Sequence, residues 1–154
     1  MNRTLDTTLT MAAESSSDCS FCRLDEPAVT LYRDATVQAF ISLAPINRYH
    51  VIVTPRAHYE HLIELPQPTI SAAVSLAQRL SAAIITVARP DALTLLSDDD
   101  LTGKGFNQVA HWKVHLIPRY RGDSVAIDWN RAPDPGPHVR AGYAEEIRRL
   151  LGAT

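Results

Sequence analysis

Cys19 and Cys22 stand at C-x-x-C spacing in a chain that also carries six histidines. Thiolates and imidazoles are the donors preferred by a borderline-soft divalent cation such as Zn²⁺, which takes four ligands in a tetrahedral array. Spacing alone leaves three readings of the cysteines open: half of a metal site, a redox pair, or two isolated thiols. A redox pair of this kind opens a helix after a strand, and no strand-like run precedes Cys19. A metal site needs two more ligands from His50, His58, His61, His111, His115 and His138.

A second concentration of chemistry lies at His111-Trp112-Lys113-Val114-His115. Two imidazoles flank an ammonium at every second position. Histidine is the side chain suited to proton transfer near neutral pH. Lysine attacks phosphorus or a carbonyl only as the free amine, and an ordinary pKa of about 10.4 leaves little of that form at neutral pH. As a protonated point charge it would hold an anion instead.

Stepping along residues 107–119, His111, Lys113 and His115 fall on one side and Trp112, Val114 and Leu116 on the other. That is the period of a strand with one apolar face. Upstream, residues 29–33 and 36–41 are rich in β-branched and aromatic side chains, and the Asp34-Ala35 link predicts a hairpin. Pro45 and Asn47 mark a turn, and residues 49–54 read as a third strand ended by Pro55. Residues 68–88 read as a long helix, with Ile70, Val74, Ala77, Leu80, Ile84 and Val87 as its core stripe and Pro90 as its stop. Residues 93–97 read as a buried strand. Asp98-Asp99-Asp100 and Gly103-Lys104-Gly105 then form a loop. Residues 139–151 read as a terminal helix, with Arg148 and Arg149 near its negative end.

Residues 1–18 are polar and small and read as a disordered leader or loose arm, leaving 19–154 as a single domain. The net charge of −2 offers no basic footprint for nucleic acid. No apolar run approaches the roughly 20 residues of a bilayer span, so no membrane association is expected. The N-terminus lacks the basic-then-apolar pattern of a signal peptide, which together with the cysteine usage predicts a cytoplasmic protein.

On its motifs the chain resembles the histidine-triad (HIT) superfamily, whose signature is His-x-His-x-His followed by apolar residues and often Ile-Pro-Arg. Here Lys113 replaces the middle histidine, and Ile117-Pro118-Arg119 follows. Pro45, His50, Pro55 and His58 also match the family's spacing. The resemblance implies an α+β fold, with an antiparallel sheet of about five strands, one long helix and a C-terminal helix. It also implies a homodimer. In the family the middle histidine attacks the α-phosphate of a nucleotide, so the substitution falls on the nucleophile. His50 and His115 become the acid/base candidates, with Lys113 as nucleophile, anion anchor or inert remnant.

Ser42 stands where the family has a ribose-binding aspartate, and Tyr49 where it often has glycine. Asp100 stands where it usually has a nucleotide-contacting asparagine, and Asn107 where it has a glutamine. With Gln108, these place Ser42, Asp100 and Asn107 as substrate-binding candidates, and Phe106 in place of a glycine should narrow the site. Zinc-containing relatives imply Cys19, Cys22, His58 and His111 as a closed, structural Zn²⁺ site. The expected function is a repurposed zinc enzyme acting on a small anionic molecule. The alternatives are a non-catalytic nucleotide- or phosphate-binding protein, and a nucleotide hydrolase or transferase using Lys113.

Overall fold

The computed structural model describes residues 17–105, 107–126 and 134–151. Phe106 and all but the last two residues of the expected leader (1–18) lie outside them. The contacts divide the chain into two compact units, the first ending at Asp123 and the second beginning at Ser124.

The first unit is built on a five-stranded sheet: β1 (Thr30–Arg33), β2 (Val37–Ile41), β3 (Val51–Pro55), β4 (Ala92–Leu96) and β5 (Val114–Arg119). Its order is β1-β2-β3-β5-β4, and every neighbouring pair is antiparallel. Asp34 makes the first turn, accepting the N–H groups of Thr36 at 2.7 Å and Val37 at 2.8 Å on one carboxylate oxygen. β2 and β3 are buried on both faces, and the alternation of their side chains divides the core in two. Val37, Ala39, Val51 and Val53 point to the helical layer, with Trp112 and Leu116 beside them. Phe40 and Ile52 point to the opposite face, where Cys19 and Phe21 cover them.

The helical layer is α1 (Gln67–Ala88), with Pro68 in its first turn and Arg89 closing it in the left-handed region at φ 46°. Four of the six residues of the expected stripe, Ile70, Ala77, Leu80 and Ile84, pack on the core, and two do not. Thr69, Ala73, Leu76, Ala77 and Ile84 are buried, whereas Val74 and Val87 are more than half exposed. Small residues at 73 and 77 let the helix axis approach the sheet, which decides the buried face over side-chain size. α1 also corrects the membrane expectation in one respect: it is long and apolar enough to cross a bilayer by length and composition. It instead rests on β2, β3 and β5.

Two of the boundaries that differ from the sequence reading bear on the site. Tyr49 precedes β3 rather than opening it and sits at φ 63°, a region that suits glycine. β5 begins only at Val114, so His111, Trp112 and Lys113 form the approach to the strand while keeping its alternation of faces. The second unit contains α2 (Pro137–Leu151), with Arg148 and Arg149 in its last turn as expected and no fully buried side chain.

Candidate functional site

Cys19, Cys22, His58 and His111 converge, with one donor atom from each lying within 4.8 Å of all the others. Their closest approaches are Cys19 Sγ to His111 Nδ1 at 3.3 Å, and Cys22 Sγ to His58 Nδ1 and to His111 Nδ1 at 3.5 Å each. His111 is fully buried, and its Nε2–H donates to the Pro55 carbonyl at 3.0 Å. That bond fixes the tautomer and turns the Nδ1 lone pair into the cluster, as metal-bound imidazoles require. Burial depresses the His111 pKa to about 4, which keeps this lone pair free. The Glu60 carboxylate lies 3.6 Å from His58 Nε2 and favours the same orientation there. Two sulfurs and two imidazole nitrogens so arranged are placed to hold a metal ion.

Beside the cluster lies a cavity of about 480 Å³, whose lining includes Phe21, Phe40, Ser42, His50, Asp98, Asn107, Gln108, Lys113 and His115. Its polar groups are tightly committed. The Ile46 backbone N–H donates to His50 Nδ1 at 3.2 Å, so His50 carries its proton on Nε2. His50 Nε2 lies 2.9 Å from His115 Nδ1 and donates to it. His115 must then carry its own proton on Nε2, the nitrogen left for a ligand. Desolvation lowers both pKa values, that of His50 to about 4, and the mutual repulsion of two cations adds to the effect there. The pair is therefore neutral at neutral pH, and it presents a donor.

Lys113 lines the cavity with its ammonium already engaged. Its Nζ donates to the Asn107 side-chain oxygen, to the Val109 carbonyl at 2.9 Å and to the His111 carbonyl at 3.1 Å. An ammonium has three protons, and three oxygens take them. Desolvation lowers the pKa to about 8, which still leaves the charged form dominant at neutral pH. The charge also lies 5.3 Å from the centre of the Phe21 ring, a cation–π contact. These bonds tie the Lys113 ammonium to residues 107–111.

The expected ligand-binding residues separate in the same way. Ser42 and Gln108 line the cavity. Asn107 lines it too, but both ends of its side chain are engaged, since Nδ2 donates to the Asp98 carbonyl at 3.3 Å. Asp100 is not among the lining residues; its carboxylate accepts from Thr102, Lys104 and Gly105 and shapes its own loop. The neighbouring Asp98 takes the place in the wall. Sequence reading missed Ser20 and Phe21 altogether. Their signal was available: two cysteines that grip one ion fix whatever lies between them.

The fold and this pairing of a metal-type cluster with a histidine-lined cavity define a HIT-type protein. Residues 23–122 match the HIT domain family, and the chain belongs to it. Over 144 residues it is 27% identical to Protein hit of Bacillus subtilis, covering 90% of this chain and 98% of that protein. It is 26% identical to the adenosine 5′-monophosphoramidase hnt1 of Schizosaccharomyces pombe, covering 84% and 95%. Among solved structures, a HIT family member from Bacillus subtilis superposes with a TM-score of 0.76 at 26% identity, covering 86% and 96%. A zinc-bound histidine triad protein from Mycobacterium smegmatis superposes at 0.61 with 27% identity, covering 89% and 98%.

Proposed function

We propose that this chain is a zinc-containing HIT protein that binds a small anionic, nucleotide-like molecule and does not carry a nucleotidyl group on residue 113. The observation behind this reading is the three-oxygen cage around Lys113 Nζ. A nucleophile needs a free lone pair and a path to the substrate; this nitrogen has its protons pinned by Asn107, Val109 and His111. The histidine pair does not replace it as a base. For His115 Nε2 to take a proton, both rings would have to change tautomer, and a proton on His50 Nδ1 would meet the Ile46 N–H head-on. His115 is thus a fixed donor, suited to an oxygen of a phosphate or carboxylate. The nucleotide class is suggested by the fission-yeast relative, an adenosine 5′-monophosphoramidase.

Zinc is supported by the donor set, two thiolates and two imidazoles, and by the zinc-bound mycobacterial neighbour. Bound there, the ion would supply a rigid four-ligand brace with no position left open. A homodimer is supported by exposed apolar residues: Val74 and Ile85, about three turns apart on one side of α1, and Leu95 on the edge strand β4. Sedimentation velocity tests it, and a single monomeric species at micromolar concentration refutes it.

The test of function is calorimetric titration with adenosine 5′-monophosphate and adenosine 5′-phosphoramidate, followed by intact-mass measurement. Reversible binding that His115→Phe weakens, with no mass change, is the expected result. A nucleotidyl adduct on Lys113 would overturn it.

A further inference from the structure

Cys19 and Cys22 contribute sulfurs to the metal-type cluster, and the two residues between them, Ser20 and Phe21, form part of the wall of the ligand cavity. The segment is a tight knuckle, with Arg23 N–H bonded to the Cys19 carbonyl at 3.1 Å. The Phe21 ring packs edge-on against Phe40 at 5.2 Å and lies 5.8 Å from the ring of the cluster ligand His111. Its carbonyl accepts from the buried Gln38 side chain at 2.9 Å. A second cavity, of about 310 Å³, lies on the cluster side and is lined by Cys19 and His58. It shares Ser20, Gln108 and Val109 with the ligand cavity, so a single layer of residues separates the two spaces.

We propose that Phe21 is a ligand-positioning residue whose place is set by the metal cluster, so that metal occupancy governs the affinity of the cavity. This rests on the small-molecule reading above. Besides the cluster, the knuckle is held to its surroundings by the Gln38 bond, by the packing of Phe21 on Phe40 and by the Lys113 charge over the Phe21 ring. Releasing the sulfurs frees the wall to move. Linkage makes the effect reciprocal: a ligand packed against Phe21 must tighten metal binding by the same factor.

The experiment compares the full-length zinc-loaded protein with chelator-stripped protein and with zinc-loaded Phe21→Ala, using adenosine 5′-monophosphate and adenosine as probes. Stripping and Phe21→Ala are each expected to weaken binding at least about tenfold, and Phe21→Ala should keep its zinc. Saturating probe should also slow zinc transfer to a chromophoric chelator. Unchanged affinity in Phe21→Ala, or a chelator reaction indifferent to the probe, overturns the coupling. Failure of the loaded protein to bind either probe overturns the small-molecule reading instead. The coupling is then read from hydrogen exchange at residues 40–42, which must quicken on stripping; exchange quickening only at residues 19–23 would overturn it.

Discussion

The Asn107 side chain joins Lys113 to Asp98: its amide oxygen accepts from the lysine ammonium and its amide nitrogen donates to the Asp98 carbonyl. A residue type suited to holding a phosphate is thereby used to close the loop that precedes β5. Lys113→Met removes the charge and leaves three oxygens without their donor in a buried setting. Hydrogen bonds to a charged group contribute about 1.5–3 kcal/mol each, and their losses overlap at one site, so a destabilisation of about 3 kcal/mol is expected. Urea denaturation measures it. A midpoint within error of the parent would mean that the cage does not support the fold.

His50 makes stability depend on pH. Its unfolded pKa is 6.5, and burial beside His115 lowers the folded value to about 4. Between those two values the unfolded chain binds a proton that the folded chain refuses. Stability is therefore full above pH 6.5 and falls as the pH drops towards 4, by at most about 3 kcal/mol from this group. Melting temperatures across that range check it. His50→Gln, which cannot titrate, should flatten the profile; an equally steep profile would assign the slope to other groups.

The two imidazoles of the cluster are not equivalent. His111 is fully buried and oriented by the Pro55 carbonyl, whereas His58 is partly exposed and lies 3.6 Å from the exposed Glu60 carboxylate. His111→Ala should abolish stoichiometric metal binding and lower the melting temperature more than His58→Ala. The His58 variant should retain metal at an affinity reduced about 10- to 100-fold or more, because solvent can complete its sphere. Metal analysis and cobalt-substituted absorption spectra distinguish them. The reverse ranking would place the anchoring imidazole at 58.

Tyr49 holds a φ of 63° and is 39% exposed, so the strained backbone is offset by only partial burial. A non-glycine residue in that region costs about 1–2 kcal/mol, part of which glycine gives back through unfolded-chain entropy. Tyr49→Gly is expected to raise stability by about 0.5–1 kcal/mol without disturbing the cavity. A lower melting temperature would show that the Tyr49 ring, which the Arg48 guanidinium overlies at 5.7 Å, contributes more than its exposure suggests.

The sequence alone determined the sheet and the long helix, because strand alternation and proline stops are local properties of the chain, and the first unit reproduces them in Val37–Ile41 and Gln67–Ala88. Spacing left the partners of the two cysteines open; the resemblance to zinc-containing relatives implied His58 and His111, and those four donors converge. Only the tertiary structure shows what the Lys113 ammonium engages. Its type admitted a nucleophile, an anchor or a remnant, and the choice depended on which oxygens stood within 3 Å or so of Nζ. Those oxygens come from Asn107, Val109 and His111, whose positions follow from the burial of His111 against Pro55 on another strand. Asp98 entered the cavity wall for a like reason. Packing between distant segments selects the side chains that face a cavity, and no local pattern encodes that selection.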